Sequence, residues 1–233
     1  MTYRPTPFQN GLLSRLSGSD LTLLGPLKLV QLALHDVLES ADSPIEFAYF
    51  LEAGVVSVVS QAMGHNDIEV GLVGREGMTG VSLVMADTRS PFTSFVQIKG
   101  LGYRVAAGQI GQAIGRSASL GDILGQYARA FHLQVAATSV AHGSARLEAR
   151  LARWLLMVGD RAGGSFRITH ALLGTSLSVR RSGITLSLQM LEGRGLIRSG
   201  RGMVSILDRL GLEEAAGGTY GMAERELARL SGR

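Results

Sequence analysis

The chain has 233 residues, 45% of them hydrophobic, which suffices for one large domain or two ordinary domains with a buried core. It has no cysteine, which excludes disulfides, iron–sulfur clusters and thiolate zinc sites, and its five histidines lack ligand spacing, so no metal or cofactor is predicted. Residues 1–143 have a net charge of −2 and residues 144–233 one of +6, which favours a second domain that faces a polyanion.

The first half of the chain predicts a β-rich domain after a short helix. An amphipathic pattern at Leu12–Leu24 indicates the helix, and short β-rich runs follow over about residues 27–105. Turn residues such as Ser43-Pro44 separate these runs. Strands at short, even spacing with such turns are typical of a small antiparallel barrel or jelly roll, which we assign to residues 1–118.

A long helix is predicted next, over residues 119–143, because apolar side chains recur there at steps of three and four. This seam consists of Leu120, Leu124, Tyr127, Phe131, Val135 and Thr138. A small barrel does not need so long a helix to cover itself. One interpretation is a dimerisation helix that pairs with its twin, and the other is ordinary packing within the chain. A second amphipathic helix is predicted at Arg146–Asp160, with the linker between domains near Ala141–Ser144.

The most basic part of the chain lies between Arg167 and Arg201. Six arginines and a single acid, Glu192, give it a net charge of +5 in 35 residues. A compact basic segment of this kind is the electrostatic footprint of a DNA-binding module. Within it, Thr169 is a good N-cap for a helix that runs to about Ser176.

A turn at residues 177–179 leads to a second predicted helix, from Arg180 to about Arg194. Two alternating apolar arms then flank the sequence Ser199-Gly200-Arg201-Gly202, which predicts a β-hairpin. Two helices, a tight turn and a hairpin are the pattern of a winged helix-turn-helix, whose second helix enters the major groove. Residues 144–233 are therefore the predicted DNA-binding domain.

The predicted contacts divide by position on this module. The first turn of the second helix reaches base edges, and a guanidinium matches the O6 and N7 acceptors of guanine, which is worth roughly 1–3 kcal/mol per good pair. We expect base contacts from Arg180, Arg181, Ser182 and Thr185. Helix N-termini and basic wings suit phosphates, and the predicted phosphate contacts are Thr169, His170, Arg198, Ser199 and Arg201. The alternative is a solvated arginine surface without a ligand.

Several segments resemble the Crp/Fnr-type transcriptional regulators. The C-terminal half of these proteins is similar to RLARWLLMVGDR and THALLGTSLSVRRSGITLSLQMLEGRGLIRSGRGMVSI, and their β-roll to FLEAGVVSVVS and VGREGMTGVSLVM. The resemblance implies an α+β fold with an N-terminal antiparallel, jelly-roll-like β-roll of the cyclic-nucleotide-binding type, a long dimerisation helix and a C-terminal winged helix-turn-helix. It further implies a homodimer through helix 119–143 that reads a palindromic site on double-stranded DNA, with RNA polymerase as a candidate partner.

The resemblance implies a base-reading arginine at Arg181, on the second helix, and a phosphate contact at His170, at the start of the first. Three positions depart from the family pattern. Ser178 stands in the turn where glycine is usual, so a left-handed backbone would be strained there. Ser182 replaces an acidic residue, and Gly183 lies inside the helix at a cost of roughly 1 kcal/mol. We therefore expect a DNA site that differs from that of the best-known members.

The effector pocket departs further. Members of the family that bind cyclic nucleotides hold the ribose with a Gly-Glu pair and the phosphate with an Arg-Ser pair. The predicted pocket here consists of Gly80, Val81, Arg89, Ser90 and Val135, so the carboxylate is missing. Such a pocket leaves the polar edges of a nucleotide unsatisfied. We expect a regulator that cyclic AMP does not control in the usual way, and whose effector is a different small ligand, a protein partner or nothing at all.

Two other functions compete with this interpretation. An enzyme is not expected, because the chain lacks the GxSxG, P-loop and HExxH motifs. An effector-binding or protein-interaction module with a vestigial helix-turn-helix is the alternative that Ser178 and Gly183 motivate. In either case a cytoplasmic protein without membrane contact is predicted, since no apolar run approaches the roughly 18–20 residues of a membrane span and the N-terminus lacks the apolar stretch of a signal peptide.

Overall fold

The computed structural model of the chain describes residues 8–60 and 67–230, which form two compact units. The first consists of residues 8–57 and 73–129, and the second of residues 58–60, 67–72 and 130–230. The long helix of residues 118–144 is thus divided between the two units. Residues 58–60 and 67–72, which belong to a β-hairpin, lie in the second unit. The predicted domain boundaries after residues 118 and 143 stay a prediction.

The described chain begins with two short helices where the sequence predicted one. A 3₁₀ turn at Leu13–Arg15 precedes α1, Gly18–Leu23. Ser17 separates them through a capping box, in which its hydroxyl accepts the backbone N–H of Asp20 and the Asp20 carboxylate accepts the N–H of Ser17. The predicted helix over Leu12–Leu24 is therefore wrong as a continuous element, because the cap starts a new helix at its middle.

The β-roll predicted for the first half of the chain is confirmed. Its main strands are β1 (Lys28–Leu32), β2 (Val37–Glu39), β4 (Phe47–Ser60), β5 (Ile68–Val73) and β7 (Thr93–Ala106), with a separate ladder between β3 (Ser43–Pro44) and β6 (Arg89–Ser90). The main sheet has the order β1-β7-β4-β5, and β2 also pairs with β7. Both β1 and β2 run antiparallel to β7. Two short helices, α2 (Val81–Val84) and α3 (Ala107–Arg116), accompany the sheet.

The predicted long helix is α4, Ala118–Ser144, and α5, Leu147–Ala162, follows it. The sequence predicted a linker near Ala141–Ser144, but the helix continues through that stretch. The break comes at Arg146, whose extended backbone (φ −63°, ψ 155°) makes it the N-cap of α5. None of the described helices combines the length and hydropathy that a membrane span requires.

The apolar seam of α4 packs within the chain. Five of its six members are buried and Val135 is half-buried. In the first unit, the hydroxyl of Tyr127 donates to the carbonyl of Met78 at 3.0 Å. In the second, Gln134 accepts from the N–H of Leu72 at 2.6 Å and donates to its carbonyl at 3.2 Å. Intrachain packing therefore accounts for the seam.

The winged helix-turn-helix is confirmed in the second unit. Its helices are α6 (His170–Ser176) and α7 (Arg181–Gly193), and its sheet has the order β8-β10-β9, formed by β8 (Ser165–Arg167), β9 (Ile197–Gly200) and β10 (Met203–Ile206). Helices α8 (Arg209–Ala215) and α9 (Met222–Leu230) end the described chain. α7 and α8 pack on α5, and the buried side chains include Leu151, Leu155, Ile184, Leu188 and Leu212.

Candidate nucleic-acid interface

Local capping sets the geometry of the two helices. Thr169 caps α6 as predicted, because its hydroxyl accepts the backbone N–H of Leu172 at 3.2 Å. Helix α7 begins at Arg181, one residue later than predicted, since Arg180 has an extended backbone (φ −68°, ψ 147°) and occupies the N-cap position. The side chains of Arg181 and Ser182 leave the first turn of the helix and are exposed. Base edges are read from this end of a recognition helix.

The turn between the helices contains the strained backbone that the sequence predicted. Ser178 has φ of +51°, a region that a serine occupies at a cost of roughly 1–2 kcal/mol. The N–H of Val179 bonds to the carbonyl of Gly174 at 2.9 Å, and a Cβ on Gly174 would lie 3.0 Å from the Val179 carbonyl oxygen. The helices approach so closely here that a larger residue at position 174 would displace the turn.

The arginines of the module fall into two groups. Arg180, Arg181, Arg198 and Arg201 are exposed, and none of them pairs with a carboxylate among the described residues. Arg194, at the far end of α7, pairs instead with Glu148 at 2.7 Å. The arginines without a carboxylate partner among the described residues are thus those at the start of α7 and on the wing, together with the exposed Arg167 on β8, and a polyanion could contact all of them.

Two of the predicted contact residues are bonded to each other. Nδ1 of His170, the first residue of α6, lies 3.1 Å from the hydroxyl oxygen of Thr185 on α7. The Thr185 hydroxyl also lies 3.1 Å from the carbonyl of Arg181. The side chains of His170 and Thr185 are half-buried, and their bond joins the two helices.

The wing is attached to α7 by a residue that the sequence analysis did not select. The carboxylate of Glu192 accepts hydrogen bonds from two groups of Ser199, the backbone N–H at 2.9 Å and the side-chain hydroxyl at 3.0 Å. A phosphate contact by Ser199 would require this hydroxyl to leave Glu192. The turn of the wing consists of Arg201 and Gly202, with φ of +50° and +72°, which is the two-residue hairpin geometry that normally favours glycine. This turn places the Arg201 side chain at the tip of the wing.

A buried carboxylate joins the hairpin end to this module. Glu69 on β5 is only 4% exposed. It accepts the indole N–H of Trp154 at 2.6 Å and the hydroxyl of Ser176, the last residue of α6, at 3.1 Å. The alternation of strand β5 predicts a buried position at 69, but it does not indicate which partners meet the carboxylate.

Positive charge surrounds the same cluster. Arg153 on α5 is buried, and its guanidinium donates to the carbonyl of Thr219 at 2.9 Å. Burial, together with the charges of Arg150 and Arg153, lowers the pKa of His142 to about 4. The histidine is therefore neutral near pH 7.

A polar groove lies on the reading side of the module. Asp67, at the entrance to β5, lines it together with His170, Thr175 and Arg181. The predicted base reader thus faces a groove that contains a carboxylate of its own unit. A DNA phosphate in the groove would meet the charge of Asp67.

Four of the five residues of the predicted effector pocket belong to the first unit. Gly80 and Ser90 are buried beside the carboxylate of Glu39, a residue that the sequence analysis did not select, and Val81 begins α2 next to Gly80. Arg89 is exposed, and its guanidinium donates to the carbonyl of Asp42. Val135 belongs to the other compact unit.

Comparisons with known proteins agree with this description. Residues 149–215 match the model of the Crp-like helix-turn-helix domain. The fold is similar to that of FixK2 from Bradyrhizobium japonicum, with 14% identity over 82% of this chain and 97% of that one and a TM-score of 0.71. It is also similar to a Crp/Fnr-family transcriptional regulator from Thermus thermophilus, with 20% identity over 82% of this chain and 100% of that one and a TM-score of 0.65.

A third similar structure is the c-di-GMP-responsive global regulator CLP from Xanthomonas campestris, with 13% identity over 82% of this chain and 99% of that one and a TM-score of 0.65. No curated protein matches the chain. Identities this low establish the fold, and the domain match establishes the type of helix-turn-helix. The fold class and the family resemblance predicted from the sequence are confirmed.

Proposed function

Because the chain has the fold of the Crp/Fnr-type regulators and carries their helix-turn-helix domain in residues 149–215, we propose that it is a sequence-specific DNA-binding regulator of transcription. The observation that carries the proposal is the separation of arginines. Those at the start of α7 and on the wing lack carboxylate partners among the described residues, whereas Arg194 is neutralised by Glu148. Exposed, unpaired guanidinium groups at these positions are suited to bases and phosphates.

The proposal assigns roles to the predicted contacts. Arg180, Arg181, Ser182 and Thr185 read bases, and Thr169, His170, Arg198, Ser199 and Arg201 hold phosphates. The N-terminal β-roll of residues 1–118 acts as a sensor, helix 119–143 as the dimerisation element and residues 144–233 as the DNA-binding domain. RNA polymerase as a partner and a cytoplasmic location belong to the same proposal.

The dimer is assigned to the exposed face of α4. His132, Ala136, Val140 and Gly143 follow one another on that face at steps of three and four, and all four are exposed. Val140 is 63% exposed, which is unusual for a large apolar side chain. Small and apolar residues at this spacing let two helices approach closely along a seam. We assign this face, and not the buried seam, to the contact between two copies.

Replacing Val140 with glutamate is expected to dissociate this dimer. A two-fold axis brings the two new carboxylates together, and like charges in a contact cost several kcal/mol, so the dissociation constant should rise by about 100-fold or more. Analytical ultracentrifugation measures the change. The matched control is Leu210→Glu, which places the same charge on an exposed leucine of α8. If V140E remains a dimer at the concentrations at which the wild type does, the assigned face is wrong.

A selected DNA site is expected to be palindromic and its binding to depend on salt. Two recognition helices related by a two-fold axis read half-sites about 34 Å apart, or one DNA turn. Two wing arginines in each protomer neutralise four phosphates, so log K against log salt should have a slope of about −3.6 or steeper. Selection from a random duplex library, followed by fluorescence anisotropy at several salt concentrations, measures both properties. Weak binding without a preferred sequence would favour the alternative of a vestigial helix-turn-helix.

A further inference from the structure

A buried carboxylate in the β-roll is held by an unusual set of donors. Glu39 ends strand β2, is 8% exposed, and accepts the backbone N–H of Gly80 at 2.7 Å. The hydroxyl groups of Ser90, Ser94 and Thr79 lie around it and hold its pKa down, and all of these residues are buried. The Ser90 hydroxyl also donates to the carbonyl of Phe92 at 2.8 Å. Within the described part of the chain, no lysine or arginine contributes to holding this carboxylate.

This arrangement has the chemistry of an oxyanion site. Neutral N–H and hydroxyl donors that converge from separate segments are the groups with which proteins bind free carboxylates, sulfates and phosphates. Here the donors come from the loop before α2, from β6 and from β7. Gly80 has φ of +75°, a left-handed backbone that glycine adopts without strain, and this conformation accompanies an N–H that points at Glu39.

The Glu39 carboxylate faces these donors and is shielded from water. Burial raises its pKa, whereas the hydrogen bonds from Ser90 and Gly80 lower it. A buried carboxylate loses its hydration, and it is therefore normally hydrogen-bonded by the protein groups around it. Gly80 and Ser90 are also two of the residues predicted for the effector pocket. The cradle and that pocket are therefore the same place in the fold.

We propose that the Gly80 N–H and the hydroxyls of Thr79, Ser90 and Ser94 form a binding site for a small oxyanion, and that the chain fills this site permanently with the carboxylate of Glu39. The Glu39 carboxylate is thus an internal ligand of the β-roll. A free carboxylate or a phosphate group gains access to the cradle only when the Glu39 side chain is removed.

The test uses acetate as the probe. Glu39→Ala removes four heavy atoms, and acetate consists of the same four atoms with the same charge. In about 100 mM sodium acetate at pH 7, E39A should melt about 3–5 °C higher than in sodium chloride of equal ionic strength, the shift expected when a ligand reaches tenfold its dissociation constant in a chain of this size. Wild type should show no difference between the two salts, because its cradle is full.

Glu39→Gln is the matched control. Its amide fills the same volume, so it should show no acetate-specific gain. Equal gains in E39A and E39Q, or no gain in E39A, overturn the proposal. Because the readout is thermal stability, the outcome is independent of whether the protein binds DNA.

A second measurement remains informative if E39A does not fold. The amide resonance of Gly80 in a ¹H–¹⁵N spectrum reports on the occupant of the cradle. It should not move in wild type when sodium phosphate replaces sodium chloride, and it should not move in E39Q either, because the amide of that variant still fills the cradle. A phosphate-dependent shift of Gly80 in wild type would show that the cradle is open and would refute the internal ligand.

Discussion

Replacing Arg181 with alanine is expected to remove most of the discrimination between DNA sites while leaving affinity for random DNA nearly intact. Arg181 is the first residue of α7 and is exposed, and no carboxylate among the described residues forms an ion pair with its guanidinium, although Asp67 lines the same groove. One good guanidinium–guanine pair is worth roughly 1–3 kcal/mol, so each half-site should lose about 5- to 150-fold in preference over a mismatched base. Competition binding with the selected site and with single-base variants measures this loss.

Two other arginines serve as controls for this result. Arg201→Ala, at the tip of the wing, should weaken all sites to a similar extent and make the salt slope shallower by about 1 for each protomer, because it removes a phosphate contact. Arg194→Ala, on the same helix as Arg181 but paired with Glu148, should alter neither property. Full site discrimination in R181A would contradict the assignment of the base reader. Identical behaviour of R181A and R201A would contradict the division of roles.

Replacing Glu69 with alanine is expected to produce the largest loss of stability. The carboxylate is buried, and its removal leaves the indole N–H of Trp154 and the hydroxyl of Ser176 without their acceptor. It also withdraws a negative charge from the buried guanidinium of Arg153. Leaving a buried donor without its acceptor costs about 1–3 kcal/mol, so the loss of two such bonds should lower the free energy of unfolding by about 2–6 kcal/mol and Tm by roughly 4–24 °C in a chain of this length.

Thermal or urea unfolding of three variants separates the causes of this loss. E69Q keeps an acceptor oxygen for Trp154 but loses the charge, so it should fall between wild type and E69A. Glu46→Ala removes an exposed carboxylate of the β-roll and should change the unfolding free energy by less than about 0.5 kcal/mol. If E69A were as stable as E46A, the cluster around Glu69 would not hold the hairpin end to α6.

The helix-turn-helix could be predicted in detail because its determinants are local. Thr169 caps a helix through the N–H of a residue three positions later, and Ser178 adopts the left-handed backbone that the family pattern implied. The hairpin turn at Arg201 and Gly202 likewise depends on a few adjacent residues. The N-terminal helix was mispredicted for a local reason too, since the capping box at Ser17 was overlooked.

The seam of α4 shows where periodicity stops being informative. Steps of three and four identify the buried face of a helix, but the pattern is the same whether the face packs against its own chain or against a second copy. In the structure, Tyr127 and Gln134 bond to the chain itself, through Met78 and Leu72. The exposed stripe around Val140 has too few apolar residues to stand out in the sequence.

The sequence by itself determined the order of the β-roll, the long helix and the winged helix-turn-helix, and the positive charge of the last, because capping, alternation and charge act between residues that are close in the chain. Only the tertiary structure decided which arginines of the module form ion pairs and which remain available to a ligand. It pairs Arg194 with Glu148 and leaves Arg181 unpaired among the described residues, and it brings Glu39 to Gly80 across 41 residues. Contacts over such separations are set by how whole elements pack, and no local pattern of residue types records them.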